Sequence, residues 1–200
     1  MDYMNLAGRK PEIIDCDNFF KSAVMLPIAN IDGKECILFE VRADTIKRQP
    51  SEICFPGGGM EDTDKGSMDT AERETSEELG LTRRQMDIIA PLDIVITPFN
   101  FMIFPYIGKI SDYKSINPSA QEVKEVFSVP IDFFKQNKPK VYHVSIKMDP
   151  PDDFPYNLIP GGYQYKWHTS EYPEYFYIYN EYVIWGLTAR ILINFLRLTK

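Results

Sequence analysis

The chain has 200 residues, 44% of them hydrophobic, which suits one domain with a sizeable core and excludes disorder as the default. Its 22 Lys and Arg stand against 29 Asp and Glu, a net charge of −7, which excludes a broad basic footprint for nucleic acid or an anionic membrane. A polyanionic substrate would therefore be met by a local device such as a metal ion.

The N-terminal residues lack the charged-then-apolar layout of a signal peptide, and no run of about 20 apolar residues is available to span a bilayer. Cys16, Cys36 and Cys54 form no Cys-x-x-Cys pattern, so neither a disulfide framework nor a zinc site is signalled, and a reduced, cytoplasmic compartment is expected. Residues 1–20 read as a polar lead-in. Two strands follow, Ala23 to Ala29 and Glu35 to Arg42, around the hairpin signal Asp32-Gly33. After a polar loop, Ile53 to Phe55 make a short strand that enters a run of three glycines, Gly57, Gly58 and Gly59. A helix is expected from Ser67 to Leu79, with Ser67 as N-cap and Gly80 as its stop.

Met86 to Ile110 reads as further strands. Asn117 to Gln136 reads as a loop, a strand edge and a short helix, and Val141 to Ile146 as a strand. The Pro/Tyr-rich stretch 148–175 has enough aromatics to form an ordered loop or hairpin. A strand and a long helix, drawn over Val183 to Leu198, end the chain. Strands and helices in mixed order indicate an α/β or α+β fold in a single domain over 1–200.

The chemistry concentrates between Phe55 and Leu81. A glycine-rich turn lets backbone approach a ligand closely, and Glu74, Glu77 and Glu78 share one helix surface. Clustered carboxylates offer the hard oxygen ligands that Mg²⁺ prefers, and Mg²⁺ or Mn²⁺ would neutralise a diphosphate and lower the pKa of a bound water. Arg73, four residues before Glu77, can pair with that carboxylate. Taken alone, a run of glutamates is more often a solvated helix face.

The spacing changes that balance. Arg73-Glu74-Thr75-Ser76-Glu77-Glu78-Leu79-Gly80-Leu81 resembles the Nudix hydrolase signature, with one departure: counted back from Arg73, the usual spacing puts Lys65 where an acid belongs. One extra residue starts the box at Gly58 and puts Asp64 in that position. The longer form, with Glu61, Asp64 and Thr70-Ala71, resembles the coenzyme A pyrophosphatase branch. So do ILFEVR, ICFPGG, Asn117-Pro118 leading to Gln121-Glu122-Val123, and IWGLTARIL, and the resemblance spans roughly residues 23 to 198. It departs upstream of Phe55: Lys47 serves for the branch's basic residue, but Ser51 occupies its Gly position, and Gln49 and Glu52 also differ. Residues 148–175 resemble an insertion relative to shorter members.

The resemblance implies an α/β/α sandwich around a mixed β-sheet and attack of a metal-activated water on a diphosphate. It implies Glu74 and Glu78 as metal ligands, with Glu77 sharing the metal or acting on the water, and Arg73 in the catalytic set. Glu122 is the off-helix carboxylate for a general base or a further metal ligand, and Gly57, Gly58, Gly59, Lys47 and Arg42 form the substrate side. The implied substrate is a small-molecule nucleotide, coenzyme A or an acyl derivative, with ADP-ribose or another nucleoside diphosphate conjugate as the alternative, and a non-catalytic ligand-binding regulator as a reading of another class. No nucleic acid or membrane partner is expected, and the sequence leaves a homodimer open. Cys54 in its apolar context reads as core packing, His143 as a strand residue, and the tyrosines of 163–179 as a hydrophobic cluster rather than a stacking platform.

Overall fold

The hairpin around Asp32-Gly33 pairs β1 (Phe20–Ile31) with β2 (Lys34–Arg42) antiparallel, and the two turn residues take φ of 50° and 80°, as a tight primed turn requires. The structure, a computed structural model, describes residues 3–200, and it divides into two compact units that meet in sequence between Ile131 and Asp132.

In the first unit, β3 (Ile53–Cys54) adds to β2, and β4 (Gly57–Gly59) pairs with the start of β1. Helix α1 (Ser67–Leu79) follows, then β5 (Met86–Pro91), β6 (Val95–Ile96), β7 (Phe101–Ile110) and β8 (Val123–Pro130). The sheet runs β3-β2-β1-β7-β5, with β8 on β2 and β6 on β7. Among the described residues, β1 and β7 are the one parallel pair in this mixed sheet.

Strand β2 is buried on both faces from Cys36 to Val41. On one face Leu38 joins Met25, Ala29, Met86 and Ile110 in a core capped by Leu79 of α1. On the other, Phe39 stacks between Phe55 and Phe127, with ring centroids 5.0 and 5.4 Å away. Because side chains alternate along a strand, Glu40 shares the face of Leu38, toward α1.

Helix α1 has the expected bounds, but Ser67 is its first residue and not its cap. Gly66 precedes the helix without a side-chain cap, and the Ser67 hydroxyl lies 2.7 Å from that of Tyr106. Asp69 in the first turn accepts from the Lys65 N–H instead, at 3.1 Å. At the other end Gly80 takes φ 63° and its N–H bonds to the Ser76 carbonyl, as a left-handed helix stop does.

The second unit begins within the short helix α2 (Ile131–Gln136) and holds a sheet of β9 (Lys140–Lys147), β10 (Thr169–Tyr179) and β11 (Tyr182–Trp185) in the order β11-β10-β9, followed by α3 (Gly186–Leu198). Lys147 pairs with Thr169, so most of the Pro/Tyr-rich stretch is the long connection of a β-hairpin. Its rings pack on one another: Tyr156 stacks on Tyr163 at 4.7 Å, and Trp167 meets Phe154 and Tyr165 edge-on at 5.4 and 5.1 Å. The terminal apolar run is divided: Val183–Trp185 are strand, and the helix starts only at Gly186, whose φ of 60° makes the break. Among the described residues no helix is long and apolar enough to cross a membrane.

Candidate active site

The three glycines of β4 lie between β1 and α1. At Gly57 a Cβ would overlap the Ala23 carbonyl and Val24, and at Gly58 it would overlap the Glu74 carboxylate. Only bare backbone lets that carboxylate lie against the strand. The Gly57 N–H donates to Glu78 Oε2 at 2.7 Å, which ties the last turn of the helix to the same strand.

Arg73 organises the exposed side. Its Nε and Nη2 donate to the two oxygens of Asp64 at 2.9 and 3.0 Å, its Nη1 to Glu74 at 2.8 Å, and its Nη2 to the Gly59 carbonyl at 3.2 Å. Asp64, its side chain 2% exposed, also accepts from the Glu61 N–H at 2.9 Å and the Thr70 hydroxyl at 2.8 Å. The Arg73 bond, followed by the Glu61 amide, holds the Asp64 carboxyl well below the usual carboxylate range, and Asp64 in turn raises the Arg73 guanidinium. The longer spacing therefore puts Asp64, not Lys65, in the acid position. The expected Arg73–Glu77 pair is a minor contact: the closest atoms are 3.7 Å apart and Glu77 is 59% exposed, so Glu74 is the glutamate that Arg73 fixes.

On the buried side no guanidinium of the described residues is hydrogen-bonded to Glu40 or Glu78. Glu78 is buried, and desolvation followed by the Glu40 charge pushes its carboxyl up, against the opposing Gly57 bond. Glu40 is 0% exposed, and its carboxyl is also pushed up, first by burial and further by Glu122 and Glu74; the Cys54 bond and Arg42 oppose the rise. Cys54, directly across from Glu40 in the β2–β3 ladder, donates its thiol to Glu40 Oε1 at 3.2 Å, while Glu40 Oε2 has no hydrogen-bond partner. Cys54 is thus a polar partner and not simple packing. Burial, then the Glu40 charge, raise its thiol well above the ordinary range. Glu74, partly buried, is raised by desolvation against the pull of Arg73.

Glu40 is the residue that reading the sequence missed. One signal was available: ILFEVR is apolar on both faces of the strand, which leaves its glutamate no solvent-facing side.

The off-helix Glu122 is brought to this cluster by backbone. The Asn117 and Ser119 N–H groups donate to the Leu79 and Glu78 carbonyls, each at 3.0 Å. The Glu122 N–H bonds to Ser119 at 3.0 Å, and its carbonyl accepts from Ala43 at the end of β2 at 2.8 Å. Its carboxylate is close enough to contribute to the rise of both Glu40 and Glu74.

Of the expected basic residues, Arg42 faces the acids and draws both Glu40 and Glu78 downward, its Nε anchored 3.3 Å from the Arg48 carbonyl. Lys47 stands exposed in the loop after β2. Arg48 is the residue there that turns back, 5.3 Å from the centre of the Phe20 ring, which in turn lies beside Gly59. Ser51, in the position the resemblance reserves for Gly, has φ 61° and hydrogen-bonds Asp44, so the left-handed backbone is kept without the glycine.

Among the described residues no three Asp, Glu, His or Cys side chains already converge as a closed metal cage. The donors nevertheless fit a hard divalent cation: they are carboxylate oxygens, desolvation pushes both Glu74 and Glu78 up, Glu78 has no hydrogen-bonded cation among the described residues, and Gly58 leaves Glu74 a cradle that a side chain would fill.

The sequence model of the NUDIX domain matches residues 19–147. The chain belongs to the Nudix family. A mouse relative, peroxisomal coenzyme A diphosphatase NUDT7, is 32% identical over 86% of this chain and 67% of its own length. Human mitochondrial coenzyme A diphosphatase NUDT8 is 27% identical over 85% of this chain and 65% of its own. Nudix hydrolase 22 of Arabidopsis thaliana is 28% identical, and there the chain spans only 53% of the relative's length. Among solved structures, the MutT/nudix family protein from Enterococcus faecalis aligns with 98% of this chain and 67% of its own, at a TM-score of 0.52 and 14% identity, a likeness of fold. The expected Nudix fold, α+β with a mixed sheet and helices, is thus present.

Proposed function

We propose that this Nudix hydrolase cleaves the diphosphate of a nucleoside diphosphate conjugate, with coenzyme A or an acyl derivative as substrate. The reading is carried by the buried glutamates of α1 set against bare glycine backbone, Glu74 over Gly58 and Glu78 on the Gly57 N–H. The choice of coenzyme A rests on the likeness to relatives named as coenzyme A diphosphatases.

Glu74 and Glu78 would hold Mg²⁺ or Mn²⁺, with Glu77 at the exposed edge. When bound, the cation supplies neutralisation of the diphosphate oxygens and a more acidic water. Arg73 and Asp64 orient Glu74. Glu122, or Glu77, takes the proton of the attacking water as its oxygen forms a bond to one phosphorus and the bridging P–O bond breaks. From coenzyme A the products are adenosine 3′,5′-bisphosphate and 4′-phosphopantetheine. Arg42, and Lys47 in its loop, supply positive charge for the nucleotide phosphates. The three free cysteines, Cys16, Cys36 and Cys54, suit a reducing compartment such as the cytoplasm.

The test is product identification with Mg²⁺ or Mn²⁺ and a panel of coenzyme A, acyl-coenzyme A, ADP-ribose, diadenosine polyphosphates and deoxynucleoside triphosphates. Preferential release of 4′-phosphopantetheine is expected. Cleavage of ADP-ribose alone would replace the substrate, and tight binding without cleavage of any member would remove the enzymatic reading.

A further inference from the structure

Burying a carboxylate is costly, and the cost is normally met by hydrogen bonds or an opposite charge. Glu40 has little of either. It is 0% exposed, one oxygen receives only the Cys54 thiol, a weak donor without charge, and the other has no partner. Arg42 softens the field, but its guanidinium Nε is committed to the Arg48 carbonyl. The strand alternation that puts Leu38 on the face packed against Leu79 turns Glu40 toward the same helix, where Glu78, itself buried, has its carboxyl pushed up first by burial and then by the Glu40 charge.

We infer that Glu40 is a further cation-binding residue of this site, held by Cys54 through one oxygen and offering the other, beside Glu78, to the divalent cation. The inference rests on the metal-dependent reading above and extends it to a strand residue outside the glutamate helix. Cys54 is in this view a positioning residue: its thiol selects which oxygen of Glu40 remains open, and its own chemistry is not used. A divalent ion is the ligand class that relieves both carboxylates at once, because a water or a single proton leaves at least one charge uncompensated.

The experiment is Mn²⁺ binding to the full chain, followed by calorimetry and by the electron paramagnetic resonance of free Mn²⁺, with thermal melts in the presence and absence of the ion. Glu40→Gln is expected to weaken Mn²⁺ by at least about tenfold, the order seen when groups supporting a metal are removed. Its metal-free melting temperature should be at or above that of the wild type, since a neutral isostere removes a buried charge; a merely structural Glu40 would lower the melt and leave affinity alone. Cys54→Ala should weaken binding several-fold, and Cys54→Ser, which still donates, should restore it.

Two results separate the failures. If Glu78→Gln loses Mn²⁺ while Glu40→Gln binds like the wild type, the role of Glu40 is wrong and the metal site stands. If the wild-type chain binds no Mn²⁺, the metal-dependent reading falls and this inference with it. Should Glu40→Gln not fold, the cysteine pair decides: equal affinity in Cys54→Ala, Cys54→Ser and wild type overturns the arrangement.

Discussion

The Arg73–Asp64 side and the Glu40–Glu78 side of the site handle acidic groups in opposite ways. Asp64 is enclosed and saturated with donors, including a two-pronged guanidinium, and its carboxyl is held down. Glu40 and Glu78 are enclosed with one donor each, a thiol and a backbone N–H, and their carboxyls are pushed up. The first arrangement completes itself and serves as scaffold. The second is left electrostatically incomplete, and that is what the proposed cation would complete in a protein with a net charge of −7.

The contrast can be broken most severely on the unsaturated side. Glu78→Gln and Glu74→Gln are each expected to lower kcat by orders of magnitude with the fold intact, read by turnover under saturating Mg²⁺ and by circular dichroism. Unchanged turnover would remove both from the metal site. Next comes the scaffold: Arg73→Met strands the enclosed Asp64 and frees Glu74, so it should lower the melting temperature by several degrees as well as slow turnover, a double loss not expected of Glu78→Gln.

The pH dependence of metal-free stability should carry opposite signs. The folded pKa of Asp64 is lowered, so its contribution is complete above the ordinary Asp value of about 3.9 and is lost as pH falls below it; Asp64→Asn should flatten that acid limb. The folded pKa of Glu78 is raised, so stability declines as pH rises from the ordinary Glu value of about 4.3, and Glu78→Gln should flatten that slope. Melts at a series of pH values test both. The smallest expected effect is Ser51→Gly, which relieves a left-handed φ of 61° but loses the bond to Asp44 and adds freedom to the unfolded chain, so the denaturant midpoint should move little.

Much of the scaffold was legible because it is written locally. Gly80 and the acid spacing gave α1 its bounds, Asp32-Gly33 gave the hairpin, and the glycine run marked where backbone meets carboxylate. Ser67 as cap failed because its hydroxyl goes to Tyr106, a partner 39 positions away that no local pattern reveals. The start of α3 was placed too early because Val183–Trp185 continue the apolar run as strand, and only the positive φ of Gly186 separates the two. Arg73 looked like the partner of Glu77 from helical spacing alone, whereas the loop before the helix supplies Asp64 at closer range. Glu40 was passed over because a single acid in a strand reads as an outward charge, although the apolar residues on both faces of ILFEVR already leave that strand no outside, as β3, β8 and α1 bear out.

The segment from Asn117 to Glu122 holds the last carbonyls of the helix with one end and the tip of the second strand with the other. Shortening or lengthening it by one residue would detune the distance between the glutamate helix and its distant carboxylate without touching either. If Glu122 takes the proton of the attacking water, as proposed, a length series there should move turnover more than substrate binding.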